Sequence, residues 1–267
     1  MIPILLKFGA INIYSYGLML ALGFLVTGYL FKNELKRKGL PAGLGDAIVI
    51  GVMLGGIFGA KVYSVIEGIR DEGMTSLRGF FSGAGLVWYG GFAGATITAI
   101  IIIRWKRAPV MQVLDLIGPL VILGYAFGRM GCFLSGDGDY GPPTDLPWGM
   151  AFPNGIVPTA ERVHPTPLYE IILSLIMFAY LWRMRKRKLP TGWMFGMSLI
   201  LSGIERFITE FWRLTKVVAL GMTMAQIIGI VLAIAGITLV IYSRKMPIPV
   251  EVKQVNSVPG RRKKGRH

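Results

Sequence analysis

The stretch that decides the fold is "VLDLIGPLVILGYAFGRMGCFLSGDGDYG", residues 113–141. Its first part, 113–127, is apolar enough to read as a membrane helix. Arg129, Cys132, Asp137 and Asp139 then follow in quick succession among glycines. Charge at the edge of a lipid-embedded segment is costly, and glycines make the backbone hard to hold as a plain helix. A segment of this kind calls for a function that uses the charge.

Working outward, the 267-residue chain is 53% hydrophobic and only 16% charged, with a mean hydropathy of +0.58. A soluble domain usually carries about a quarter charged residues. Roughly 20 apolar residues are needed to cross the bilayer core, so long apolar runs decide the class. Seven lie near 12–31, 46–66, 86–104, 111–130, 168–184, 191–213 and 219–243. The expected fold is an all-α polytopic membrane protein with about seven transmembrane helices. The first run is not read as a secretory signal: only Lys7 precedes it, no small-residue cleavage site follows, and its positive cluster comes after it. The single cysteine, Cys132, excludes an internal disulfide framework.

A net charge of +15 raises the question of nucleic acid, and its distribution answers against it. The basic residues cluster in "KNELKRK" after run one, "RWKR" after run three, "RMRKRK" after run five and the terminal "GRRKKGRH". Clusters after alternate helices follow the positive-inside rule, with attraction to anionic headgroups as a further effect. The amino terminus is therefore expected outside and the carboxyl tail in the cytoplasm, with no nucleic-acid partner.

The expected organisation is one transmembrane domain, 1–245, and a basic, solvated cytoplasmic tail, 246–267. On the outer side, the Gly-rich segment 67–85 reads as an arm along the interface. The long segment 131–167 is rich in turn signals, yet Met150, Trp148 and Phe152 give it apolar material, so it reads as a small ordered cap. The link 214–223, "LTKVVALGMT", joins runs six and seven. No internal repeat is evident.

Several polar residues do not belong in lipid. Arg129 could by itself snorkel to the headgroups. In "SGIERFITEFWR", 202–213, however, Arg206, Glu210 and Arg213 stand at i, i+4 and i+7, one helical face. The bland reading is a salt-bridged face buried against a neighbour. The functional reading is a cationic pocket with a carboxylate to orient it, favoured because an arginine inside a membrane helix costs about 2.5–3.5 kcal/mol on insertion scales. Guanidinium forks suit carboxylate or phosphate and keep their charge when dehydrated. At the outer leaflet an abundant phosphate is the lipid headgroup.

Tyr14 in "IYSYGLMLALGF" reads as part of an interfacial aromatic belt, while Tyr16 lies deeper and can hydrogen-bond a ligand. Tyr89 opens run three in "GLVWYGGFAGA", beside paired glycines that permit close approach. His164, Tyr169 and Glu170 lead into run five in "HPTPLYE". His164 is one of two histidines, and the other is the last residue, so no metal and no cofactor is expected.

Taken together, "YGLMLALGF", "GLVWYGGF", "GRMGCFLSGD", "HPTPLYE", "RFITEFWR" and "GMTMAQ", in that order, resemble the prolipoprotein diacylglyceryl transferase family over about residues 10–243. The resemblance implies an enzyme of the bacterial inner membrane that acts in the first step of lipoprotein maturation. Its partners would be phosphatidylglycerol and prolipoprotein signal peptides with a lipobox cysteine. The thiol would attack the glycerol carbon, glycerol phosphate would leave and a thioether would form. Such a reaction needs a proton acceptor or positive field for the thiol and cations for the departing phosphate. By resemblance, Arg129 and Arg206 clamp the phosphate, Glu210 holds Arg206, and Tyr16 matches a functional tyrosine. Arg213, His164 and Glu170 are supporting members of the substrate site.

The chain departs from the family pattern in places. Where the family carries a histidine in the third-helix turn, this chain has Tyr89. The asparagine of the family signature "GRxGNFxNGE" is Cys132 here, and its glutamate is Asp137, with Asp139 close by; Gly141 is matched to a family glycine. Tyr89 could replace the histidine as base with help from arginine, or the histidine is not the base in general, and the proton acceptor stays unassigned. A covalent intermediate on Cys132 is the less favoured reading, since the acceptor brings its own thiol. The competing classes are a transporter for a small anion or anionic lipid, and a non-enzymatic scaffold. A transporter needs polar groups at both faces, whereas the inner helix halves are read as purely apolar.

Overall fold

A computed structural model describes residues 2–8, 11–72 and 88–248. The remainder of the expected arm, from 73 on, and the tail beyond 248 lie outside the described residues. Seven helices account for most of the described chain: α1 Ser15–Arg37, α2 Ala42–Glu72, α3 Trp88–Trp105, α4 Val110–Ser135, α5 Thr166–Met184, α6 Trp193–Thr209 and α7 Met224–Ser243. Among the described residues, five are long and apolar enough to cross a membrane; α3 and α6 lie at the short end of spanning length.

The expected runs and the observed helices differ at their ends, for local reasons. Residues 11–14 are the second strand of a hairpin, β1 Ile4–Phe8 with β2 Ile11–Tyr14, and α1 starts only at Ser15. The amide of Ile2 donates to Leu134 O at 3.1 Å, so this hairpin is tied to the end of α4. The last helix begins at Met224 because Thr223 and Gln226 form a capping box there. Before it, β5 Val217–Ala219 and β6 Met222–Thr223 form a tight hairpin. The cap contains a third hairpin, β3 Met150–Phe152 with β4 Thr159–Val163.

α4 is the axis of the bundle, packing on α1, α5 and α6. Around its first half, Phe31, Leu35, Ile48, Ile103, Val113 and Leu120 form a buried apolar core. The pairs α2–α3 and α6–α7 close through glycines instead. A Cβ at Gly94 would strike the backbone of Gly55, and one at Gly203 the backbone of Gly229. Lipid tails are as apolar as leucine, so membrane helices associate by such close backbone approach.

The end of the bundle opposite the arginines of the site is not purely apolar, contrary to expectation. Glu34 is buried and holds Arg37 (2.6 Å) and Arg185 (3.0 Å). Asp115 accepts from the amides of Gly192 (2.7 Å) and Phe195 (2.8 Å), neutralising the first turn of α6. Hydropathy averaged over a window does not show single carboxylates of this kind.

Candidate active site

The helix carrying Arg129 does not stop there. α4 continues to Ser135, and Gly136, in the left-handed region at φ 60°, ends it by returning its amide to Cys132 O at 2.9 Å. Arg129 is thus held on a helical turn, its guanidinium carbon 4.9 Å from the centre of the Tyr125 ring one turn earlier. Pro165 and Pro167 flank the start of α5, where proline's missing amide is harmless. Its second turn presents Glu170, which has no solvent exposure at all.

Glu170 is the centre of the cluster. Arg129 Nε lies 3.2 Å from one of its oxygens; Arg206 Nη1 (3.1 Å), Arg213 Nη1 (3.2 Å) and the Tyr125 hydroxyl (3.0 Å) all donate to the other or lie against it. Glu210 lies between Arg206 (3.2 Å) and Arg213 (3.8 Å). Asp139 bridges Arg129 and Arg213. Three guanidiniums from α4, α6 and the chain beyond α6 thus converge on carboxylates from the loop after α4, from α5 and from the turn after α6. The sequence spacing had put Arg206, Glu210 and Arg213 on one helical face. In the structure α6 ends at Thr209, Glu210–Trp212 is a 3-10 turn, and Arg213 is extended, yet its side chain returns to the same carboxylates.

Of the other expected residues, Tyr16 packs on the cluster's edge: a Cβ at Gly131 would lie 2.9 Å from its ring, and the tyrosine is 41% exposed. Cys132 is buried, its sulfur accepting from Arg129 at 3.8 Å. Asp137 accepts from the amide of Asp139 (3.2 Å), and Gly138 between them, at φ 94°, turns the chain so that Asp139 reaches the arginines. Cys132, Asp137 and Asp139 have their donor atoms within 4.8 Å of one another. Asp139 is also ion-paired with two guanidiniums, those of Arg129 and Arg213. His164 stands beside the cluster, its Nδ1 3.1 Å from the Tyr169 hydroxyl, which accepts from Trp148 Nε1 at 2.8 Å. Tyr89 is the second residue of α3, and its side chain lies outside the described residues.

The cap loop is fastened to this arrangement. Thr166 donates to Asp139 O at 2.6 Å, and Gly141 sits where any Cβ would collide with Trp212 O. Further along, Tyr140 stacks on Phe152 at 4.7 Å, and burial together with the Asp137 carboxylate pushes its phenol above the usual range. Sequence reasoning missed Tyr125 and Glu205. Tyr125 stands at i−4 from Arg129, a spacing that would have found it. Glu205 is buried, with Oε1 unpartnered among the described residues; a carboxylate inside a membrane helix is as informative as the arginine next to it.

Charged residues brought together at one end of a bundle of long apolar helices define a polytopic membrane protein with a polar site at that end. Comparison with known proteins narrows this class. The family model described as prolipoprotein diacylglyceryl transferase matches residues 3–242. The chain belongs to that family. It is 32% identical to the phosphatidylglycerol–prolipoprotein diacylglyceryl transferase of Chromohalobacter salexigens, over 92% of this chain and 94% of that protein. It is 35% identical to the enzyme of the same name from Clostridium tetani, over 79% and 85% respectively. The Nitrosomonas europaea enzyme is 32% identical over 98% of this chain and 96% of its own length.

Proposed function

We propose that this chain transfers the diacylglyceryl group of phosphatidylglycerol to the lipobox cysteine of prolipoproteins, and that the cluster around Glu170 is where it does so. The observation that carries the reading is the convergence of Arg129, Arg206 and Arg213 on Glu170, with each guanidinium still partly open. Each guanidinium carries five N–H donors in a fixed fork. Those not committed to Glu170, Glu210 and Asp139 are available to phosphate oxygens.

As the thiol sulfur bonds to the glycerol carbon, the carbon–oxygen bond to phosphate breaks and its electron pair leaves with glycerol phosphate. Charge builds on the leaving oxygens, where preorganised donors act most strongly. Glu170 and Glu210 hold the donors in place, so little reorganisation is needed at that moment. Tyr16 borders the phosphate, while Cys132 and His164 line the surroundings. Asp137 shapes the loop that delivers Asp139. The thiol proton must leave as the thioether forms; Tyr89, at the start of α3, is the residue to test for that role.

In this reading the cluster faces outward from the bacterial inner membrane, with the amino terminus on the same side and the basic tail in the cytoplasm. Residues 1–245 act as one transmembrane unit. The polar groups at the opposite end do not favour a transport path: Glu34 is committed to arginines, Asp115 to backbone amides, and the buried Leu116, Leu120, Ile122 and Leu123 of α4 lie between the two ends. The test uses the purified protein in detergent with phosphatidylglycerol and a lipobox peptide, following glycerol phosphate release and peptide mass. A diacylglyceryl mass gain that requires the peptide cysteine is expected. No gain, with lipid still bound, would overturn the reading in favour of an anion transporter or scaffold.

A further inference from the structure

The hairpin between α6 and α7 has features that water does not account for. Its two-residue turn is Leu220–Gly221, with φ of 53° and 72°. Both central residues of such a turn need positive φ, so Asn-Gly or Gly-Gly is the usual choice. Leucine is among the residues least suited to the left-handed region. Here it also stands 91% exposed at the tip.

The strand behind it is equally unusual. Successive residues of a strand point to opposite faces, yet Val217 and Val218 are both exposed, so β5 has no polar face to offer solvent. Large apolar patches left open mark an interaction surface. What covers this one follows from continuity. Ile204 and Ile208 on α6 and Phe211 in the 3-10 turn after it form an exposed apolar stripe that runs on into Leu214, and on α7 Met224, Val231 and Ile234 continue it from the other strand. We read these stripes as the lipid-facing sides of the two helices, and the hairpin continues them after a short polar step at Thr215 and Lys216, both exposed. Lys216, exposed, adjoins β5, and a lysine at such a boundary can reach lipid phosphates while its stem covers apolar surface.

We propose that the 217–223 hairpin is a prong seated in the lipid leaflet beside the arginine cluster, with Leu220 as its deepest point and anionic phospholipid as its surroundings. It begins four residues beyond Arg213, so it fixes the depth at which that guanidinium stands relative to the headgroups. The proposal does not depend on the transferase reading.

The test measures depth directly. Nitroxide labels are placed at Leu220→Cys and, separately, Val218→Cys in a Cys132→Ser background of the full chain, reconstituted into vesicles containing phosphatidylglycerol. Ile234→Cys serves as the lipid-facing control and Glu161→Cys, on the exposed cap, as the aqueous one. Oxygen and a water-soluble nickel chelate compete to relax each label. At 220 and 218 the oxygen-to-nickel ratio is expected to match that at 234 and to lie several-fold above that at 161. Ratios at both positions matching 161, with 234 still lipid-like, would overturn the proposal. So would labels that leave water only when a lipobox peptide is added, since the surface would then belong to a protein partner.

Discussion

Glu170 and Arg206 meet 3.1 Å apart across α5 and α6, and the same carboxylate oxygen lies 3.2 Å from Arg213. A carboxylate shared by several guanidiniums is neutralised with charge to spare. The arginines, whose own charges would otherwise repel one another, are held at a spacing suited to a second anion.

Glu170→Gln is therefore expected to do more harm than the loss of one pair. Breaking a buried ion pair by removing one partner costs about 3–5 kcal/mol, and here three cations lose a counter-charge together. Thermal unfolding in detergent should show a marked fall, and transferase activity should be lost. Glu170→Asp, which keeps the charge, should recover part of the stability. A Gln variant as stable and active as the parent would show that Glu170 does not organise the arginines.

Arg129→Ala and Arg206→Ala should each reduce turnover by roughly 10²–10³-fold, the scale of losing one oxyanion donor. Arg206→Lys should fall between parent and Ala, since lysine keeps the charge and loses the fork. The check is the rate of glycerol phosphate release at equal amounts of folded protein. Near-parental rates in either Ala variant would refute the phosphate clamp.

Cys132→Ser is expected to keep activity within about tenfold of the parent, the scale of one modest hydrogen bond. Its sulfur is buried, and the incoming peptide supplies the reacting thiol. Intact-protein mass after a single turnover without peptide should show no diacylglyceryl adduct. An adduct on Cys132, with the serine variant dead, would establish a covalent intermediate instead.

Gly141→Ala places a methyl group against Trp212 O and the His164 side chain. Overpacking of this kind typically costs about 1–3 kcal/mol. Because Trp212 adjoins Arg213, activity should fall further than stability alone would predict. Equal melting temperature and equal rate would mean that the loop yields without moving the arginine.

Much of this architecture was legible from apolar length and from the spacing of charges. Seven runs became seven helices, and Arg206, Glu210 and Arg213, read as one face, do share partners. What could not be read lay where the chain leaves regular geometry. "NIY" and "ALGMT" look like continuations of neighbouring helices because a short apolar run carries no period of its own. Asp137 sits at the signature position, but a left-handed Gly138 turns Asp139 to the guanidiniums, and spacing along the chain does not reveal that turn. Glu205 adjoins Arg206 in the sequence, and adjacency alone does not show that its carboxylate is buried.

The pairing within the cluster also bears on how the chain is made. Each arginine has a carboxylate close by in order of synthesis. Asp139 emerges ten residues after Arg129, and Glu170 is already present 36 residues before Arg206. Arg206 is then joined by Glu210 on the next turn. Each of the three guanidiniums of the cluster thus has a carboxylate partner within ten residues of it in the sequence, which lowers the net charge of the segment that enters the bilayer. The residues that bring the positive field together at the end also ease its passage into the membrane at the start.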